Sequence, residues 1–272
     1  MAISDISLTA GMRNNLLALQ KTSQQLSQTQ DRLSSGKRVN SALDNPTNFF
    51  AAQAHMERAS DLNDRKDGMS EAVQTIKNAD NGIKAISSLI QAAKGLASSA
   101  MATNDTLSQA TYESQFLQIK SQITTLASDS GYRGTNLLTD GTLAIEFAPK
   151  AGDAKLTVAG FKADATSLGI TSAVVNWAVA GNAASSLSYM DTALTTLRSK
   201  SSVLASNLSV ITTRQDFTDN VINTLQQGAD GLTLADMNNE GANMLMLQTR
   251  QSLGTTALSL SSQAAQSVLR LF

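Results

Sequence analysis

The chain has no cysteine, a single histidine (His55), two prolines (Pro46 and Pro149) and only 4% aromatic residues. Without cysteine there are no disulfides, no thiolate catalysis and no zinc–sulfur sites. One imidazole with no thiolate cannot complete a transition-metal site, and a lone histidine inside a helix is far more often a packed or surface residue than a catalyst. Two breakers in 272 residues favour long helices. The scarcity of aromatics argues against a compact enzyme core, which is usually closed by large rings. Net charge is −1 with a pI near 5.8, so no basic surplus points to nucleic acid or an anionic membrane. No stretch of about 18 uncharged apolar residues is present to span a bilayer. The opening Met-Ala-Ile-Ser-Asp-Ile-Ser-Leu is not the basic-then-apolar pattern of an ordinary signal peptide.

What is present is 42% hydrophobic and rich in small and aliphatic side chains, with Ser, Thr, Gln and Asn between them. That mix suits thin helices packed through heptads. A first helix is expected from about Asp5 to Ser35, with Met12, Leu16, Leu19, Leu26 and Leu33 as its stripe and Gly36 as its stop. Between Ile6 and Gln30 only Arg13 and Lys21 are charged, so this helix lacks the wet outer face of a solvated one. Asn45-Pro46 reads as N-cap and first helical residue of a long helix to about Met101, roughly 80 Å. Leu62, Met69, Ile76, Ile83, Ile90 and Ala97 form one seven-spaced track, and Ala72, Ala79, Ile86, Ala93 and Ala100 a second. Glu57, Arg58, Asp61, Asp64, Arg65, Lys66, Asp67 and Glu71 give its first half a charged face, and solvation is the ordinary explanation of its carboxylate pairs.

Thr103-Asn104-Asp105 breaks that helix and caps a shorter one to about Ser128, ended by Gly131 and Gly134. Leu143, Ile145 and Phe147, then Leu156 and Val158, alternate as a β-hairpin within about residues 140–170. A second long helix is expected from Asn182 to Gln227. Leu187, Met190, Leu194, Leu197, Leu204, Leu208, Ile211, Ile222 and Leu225 share its heptad frame, which Ser201, Gln215 and Thr218 interrupt. Gly228-Ala-Asp-Gly231 should break it, and Thr233 with Asp236 resembles a capping box for a last helix to Arg270. That helix carries the tracks Met237, Met244, Leu258 and Met246, Leu253, Leu260, with only Arg250 and Arg270 charged after Gly241. No HExxH, GxSxG, GxGxxG, P-loop or EF-hand pattern occurs. The expected fold is mainly α: a long antiparallel helical bundle or coiled coil, folded back so that its two uncharged ends meet, with a small β-hairpin region at the tip.

Periodicity alone does not separate a filament subunit from a tethering coiled coil. Three segments narrow the choice. Arg32-Leu33-Ser34-Ser35-Gly36-Lys-Arg-Val-Asn40-Ser41-Ala42 resembles the N-terminal signature of bacterial flagellins. Tyr132-Arg-Gly-Thr-Asn-Leu-Leu138 resembles that family's turn before its hairpin, and Gln263–Phe272 resembles its C-terminal helix. The chain resembles a short flagellin with core domains only. The resemblance implies a non-enzymatic filament subunit without cofactors, exported unfolded through the flagellar type III apparatus, with terminal segments that order on assembly. It implies an inner coiled coil of residues 1–42 and 232–272 and an outer helical bundle of residues 43–231. The implied assembly contacts are Met12, Leu16, Leu19, Leu26 and Leu33 against Met244, Leu253, Leu258, Leu260, Val268 and Leu269. Implied partners are further copies of the chain, paralogous flagellins, an export chaperone, the filament cap and hook-junction proteins, with no nucleic acid or membrane. A hook–filament junction protein and a cytoplasmic coiled-coil scaffold are the alternative readings.

Two departures from the family pattern stand out. Asp44-Asn-Pro-Thr-Asn48 replaces the usual Asp-Asp-Ala-Ala-Gly. At the segment read by the flagellin-sensing Toll-like receptor, Gln91-Ala92-Ala93-Lys94-Gly95-Leu96 replaces Gln-Arg-Val-Arg-Glu-Leu, so Ala92 and Gly95 remove a guanidinium and a carboxylate. Weak or absent receptor activation is expected.

Overall fold

The structure is a computed structural model and describes residues 10–148, 154–170, 176–179 and 181–269, the side chains of 265, 268 and 269 excepted. The described elements are five helices, α1 (Ala10–Ser35), α2 (Pro46–Ala102), α3 (Thr106–Asp129), α4 (Asn182–Thr233) and α5 (Met237–Leu269), and two strands, β1 (Thr142–Glu146) and β2 (Lys155–Ala159). The chain divides into two compact units: residues 1–57 with 224–272, and residues 58–223. The expected residues 5–9 of the first helix, and 270–272 of the last motif, lie outside the described residues.

The second unit is built on the two apolar tracks of α2, in which Met69, Ile76, Ile83, Ile90 and Ala97 are buried, as are Ala72, Ala79, Ile86, Ala93 and Ala100. Phe116 and Ile123 of α3, Ile145 and Val158 of the strands, and Met190, Leu197, Leu204 and Ile211 of α4 complete one core. As the α2 partner climbs from Lys66 through Ser70 and Asp80 to Lys94, the α4 partner falls from Asp219 through Gln215 and Ser201 to Asp191. That order is the signature of an antiparallel pair. Three side chains that interrupt the α4 heptad find partners: Ser201 Oγ donates to Asp80 Oδ1 at 2.7 Å, Gln215 Nε2 to Ser70 Oγ at 3.0 Å, and buried Thr218 to the Arg214 carbonyl at 2.8 Å. Polar groups inside a seam persist when they are hydrogen-bonded.

Local sequence dictates the helix ends. Asn45 Oδ1 accepts the Asn48 amide at 3.0 Å at the start of α2, and Asp105 caps α3 by accepting from the Leu107 and Ser108 amides. Arg133 (φ 46) and Gly134 (φ 82) form a tight turn in which Tyr132 and Thr135 exchange backbone hydrogen bonds at 2.9 Å. Positive φ at both central residues is the geometry of a two-residue hairpin turn. Beyond it, the Asn136 amide donates to the Ala127 and Ser128 carbonyls at 2.8 and 2.9 Å, satisfying the end of α3, and Oδ1 accepts from Leu138 N at 2.8 Å. The strands pair antiparallel in the register Leu143 with Val158 and Ile145 with Leu156, so the predicted apolar face points to the core. Trp177 also joins this core: its ring lies 5.0 Å from Phe116, and its Nε1 donates to Ser186 Oγ at 3.1 Å.

Two boundaries differ from the sequence reading. α4 does not break at Gly228–Gly231 but continues to Thr233. A helical glycine costs only about 1 kcal/mol against alanine, and burial of Ala229 between the two glycines favours continuing the turn. Thr233 does not cap α5; its hydroxyl bonds back to the Ala229 carbonyl inside α4 at 2.9 Å. Asp236 is the cap, its Oδ1 accepting from the Asn238 and Asn239 amides at 3.0 and 3.2 Å.

Candidate assembly interface

In the first unit α1 packs along α5. The α1 side of this seam runs through Met12, Asn15, Leu19, Thr22, Leu26, Thr29 and Leu33, of which Met12 and Thr29 are buried and the rest half-buried. The α5 side runs through Glu240, Met244, Leu247, Gln251, Gly254 and Leu258, of which Glu240 and Leu247 are buried. The seven-spaced series Met12, Leu19, Leu26, Leu33 lies where the sequence places it. The alternating positions are Asn15, Thr22 and Thr29 on the other side of that track from Leu16, Ser23 and Gln30. Leu16 is 40% exposed, Leu253 65% and Leu260 61%. Leu17, Leu245 and Met246 are exposed as well. The side chains of Val268 and Leu269 lie outside the described residues. Sequence reasoning missed Leu247, Glu240 and Gly254; a scan of α5 for alternating steps of three and four starting from Glu240 finds all three.

The seam is fastened at one end by the signature segment. Arg32 Nη1 donates to Glu240 Oε1 at 3.2 Å, and the two side chains are only 32% and 11% exposed. Gly36 adopts φ +70 and its amide closes on the Arg32 carbonyl at 2.8 Å, a left-handed helix stop that suits glycine. Ser35 Oγ accepts from Lys37 N at 3.2 Å, while Ser34 is exposed. The connector after α1 is stapled to the one before α5. Ala235 N donates to Gly36 O at 3.0 Å, Arg38 N to Thr233 O at 2.8 Å, and Arg38 Nη2 to the Gly231 and Leu232 carbonyls at 3.3 and 3.4 Å. The last two bonds put a cation on the C-terminal carbonyls of α4, where the helix dipole favours it. Val39 is buried beside them. Asp44 Oδ2 accepts from Asn40 N and Ser41 N, both at 3.0 Å, and from Ser41 Oγ. Those amides hold its carboxyl below the ordinary carboxylate range. Ala42 is half-buried next to this turn.

A polar cleft of about 570 Å³ opens beside the connectors, lined by Arg32, Arg38, Asp44, Asn48, Asp236, Glu240 and Asn243 among others. Among the described residues no group of three or more His, Asp or Glu side chains could hold a metal ion, and no helix is long and apolar enough to cross a membrane. In the second unit the stretch matching the receptor segment shows Gln91, Ala92 and Gly95 exposed and Leu96 half-buried, and Lys94 is paired with Asp191.

Sequence comparisons identify the family. The family model described as the bacterial flagellin N-terminal helical region matches residues 6–142, and that of the bacterial flagellin C-terminal helical region matches residues 187–272. Flagellin FljM of Caulobacter vibrioides is 30% identical with both chains covered completely. A flagellin of Brucella melitensis is 28% identical over 94% of this chain and 95% of its own. The crystal structure of Bacillus cereus flagellin aligns at TM-score 0.47 and 20% identity, covering 56% of this chain and 88% of its own. With both terminal helical regions matched and a relative similar from end to end, the chain belongs to the bacterial flagellins, and it is a structural subunit of the flagellar filament and not an enzyme.

Proposed function

We propose that this subunit polymerises through α1 and α5, and that the side chains the seam leaves uncovered are its contacts with neighbouring copies. The observation that supports this most is the exposure of Leu16, Leu17, Leu245, Met246, Leu253 and Leu260 on two helices with almost no charge. Isolated amphipathic helices are marginal in water, and a seam containing Asn15, Thr22, Thr29 and Gln251 buries little apolar area to hold them. Neighbouring copies that cover the exposed leucines, at about 25 cal/mol per Å², make ordering and assembly one event. Contacts between unlike faces then extend as an open helical polymer.

In this reading residues 1–42 and 232–272 form the inner coiled coil around the filament channel, with Val268 and Leu269 extending its contacts, and residues 43–231 form the outer shell. The subunit is exported unfolded through the type III apparatus, its C-terminal stripe is masked by a chaperone beforehand, and it meets the cap and hook-junction proteins in the filament. At the receptor segment, the Lys94 ammonium is held by Asp191, and Gln91, Ala92, Gly95 and Leu96 supply no guanidinium or carboxylate. This supports weak recognition by the flagellin-sensing receptor.

Seeded growth tests the central reading. Full-length chain added to filament fragments should elongate them, while a full-length variant carrying Leu253→Lys and Leu260→Lys should not, although its helical content is kept. Equal elongation by both would refute it.

A further inference from the structure

All the sulfur in this chain is thioether: there are nine methionines and no cysteine. With no thiol to react first, methionine is the side chain that a peroxide oxidises most readily. Three of the nine, Met237, Met244 and Met246, fall within ten residues of α5, so that helix concentrates the oxidisable sulfur. The settings of the methionines differ. Met69 and Met190 are sealed in the core of the second unit, and Met12 is buried in the terminal seam. Met244 is half-buried on the α5 side of that seam. Met246 is 48% exposed and heads the seven-spaced track Met246, Leu253, Leu260 on the uncovered side of α5. It borders an open groove of about 250 Å³ that Gln28 and Arg250 also line, so a small oxidant reaches its sulfur. Leucine is inert to such oxidants. Met246 is therefore the one member of this track whose polarity a peroxide can change.

We propose that Met246 is a reversible oxidation site that decides whether a free chain can join the filament. The step is a two-electron oxygen transfer from hydrogen peroxide. The sulfur lone pair attacks one peroxide oxygen, the O–O bond breaks, and the thioether becomes a sulfoxide while the peroxide is reduced to water. A flexible apolar side chain is thereby replaced by a polar one with a strong acceptor oxygen. On the free chain water satisfies that oxygen. On a track covered by a neighbouring copy the oxygen loses its water and meets leucine carbons, an unfavourable burial without a donor. Oxidation therefore disfavours the assembled state and leaves the second unit of the free chain intact. The same covering shields the sulfur once a chain is incorporated, so completed filament is spared. The proposal rests on the terminal assembly proposed above and adds a chemical control to it. Met101, 52% exposed at the end of α2 in the second unit, takes up oxygen as readily and lies off this track, so it serves as an internal reference.

The test is a selection within one pool. Wild-type monomer is partly oxidised with hydrogen peroxide, freed of it and offered to wild-type seeds, and mass spectrometry of peptides reads the sulfoxide at each methionine in the filament and in the chains left behind. Sulfoxide at Met246 should be depleted roughly fivefold or more in the filament, because an unpaired buried acceptor disfavours that state, while sulfoxide at Met101 should divide evenly. Treatment of the rejected chains with methionine sulfoxide reductases should restore their elongation. Met246→Leu conserves volume; it should elongate seeds like wild-type when untreated and lose less than wild-type after the same peroxide dose. Met246 sulfoxide shared equally between filament and free chains, or rejected chains that reduction does not rescue, would overturn the proposal. Failure of the untreated wild-type chain to elongate seeds would instead strike the terminal reading.

Discussion

Leu19 of α1 lies against the bare backbone of Gly254 in α5: a methyl carbon at that glycine would come within 2.8 Å of Leu19 Cδ2 and 3.0 Å of its Cγ. Two helices approach here because one of them has no side chain. Gly254→Ala gains up to about 1 kcal/mol of helix propensity and asks Leu19 to shift by a few tenths of an ångström. Gly254→Val has no such room. Seeded elongation should be near wild-type for the alanine variant and at least tenfold slower for the valine variant, with the melting of the second unit unchanged in both.

The Arg32–Glu240 pair is the one ion pair described in the first unit, and both partners are largely shielded from water. Removing the carboxylate with Glu240→Ala leaves a shielded guanidinium without its acceptor, a loss of about 1–3 kcal/mol. Within the filament, hydrogen exchange should quicken in both α1 and α5, since the pair ties one to the other across 208 residues. Acceleration confined to α5 would mean that the pair does not couple them.

Asn136 satisfies the end of α3 and the start of the next turn with three hydrogen bonds of 2.8–2.9 Å. Asn136→Ala orphans one partly buried carbonyl, one exposed carbonyl and one partly buried amide. It should lower the stability of the second unit by about 2–3 kcal/mol, visible in urea as a shifted midpoint with an unchanged slope.

Four carboxyls in the second unit titrate below their ordinary range. Burial pushes Asp80 up, but Lys84 Nζ and Ser201 Oγ outweigh it. Burial likewise opposes the Ser167 hydroxyl and amide at Asp164. The Ser108 hydroxyl and amide lower Asp105, and the Arg133 guanidinium lowers Glu71. In each case the folded state binds the proton more weakly than the unfolded chain does. Their contribution is therefore fully present above about pH 4 and is lost as pH falls through the folded values. Thermal melting should be flat from neutrality to about pH 4.5 and fall steeply below it, less steeply in Asp80→Asn. Melting that rises on acidification would contradict these assignments.

Much of the fold was legible because a fully apolar seam leaves little choice of phase. Every member of the two predicted α2 tracks is buried, from Leu62 and Ala72 to Ala97 and Ala100. The α1 seam was only half legible. Met12, Leu19, Leu26 and Leu33 fit either alternation of threes and fours, and the partner helix decides between Leu16 and Asn15. That partner's own seam includes Glu240, Gln251 and Gly254, so hydrophobicity alone could not set the phase. The continuation of α4 through Gly228 and Gly231 escaped the sequence for a related reason. Glycine weakens a helix by an amount that tertiary packing around Ala229 readily offsets.

Hydrogen exchange of the monomer and of the filament, resolved by peptide, tests the central claim most directly. If α1 and α5 are the polymerising elements, their amides exchange freely in the monomer and become protected in the filament, while the core of residues 58–223 is protected in both. Terminal helices equally protected before and after assembly, or equally open in both, would contradict the account.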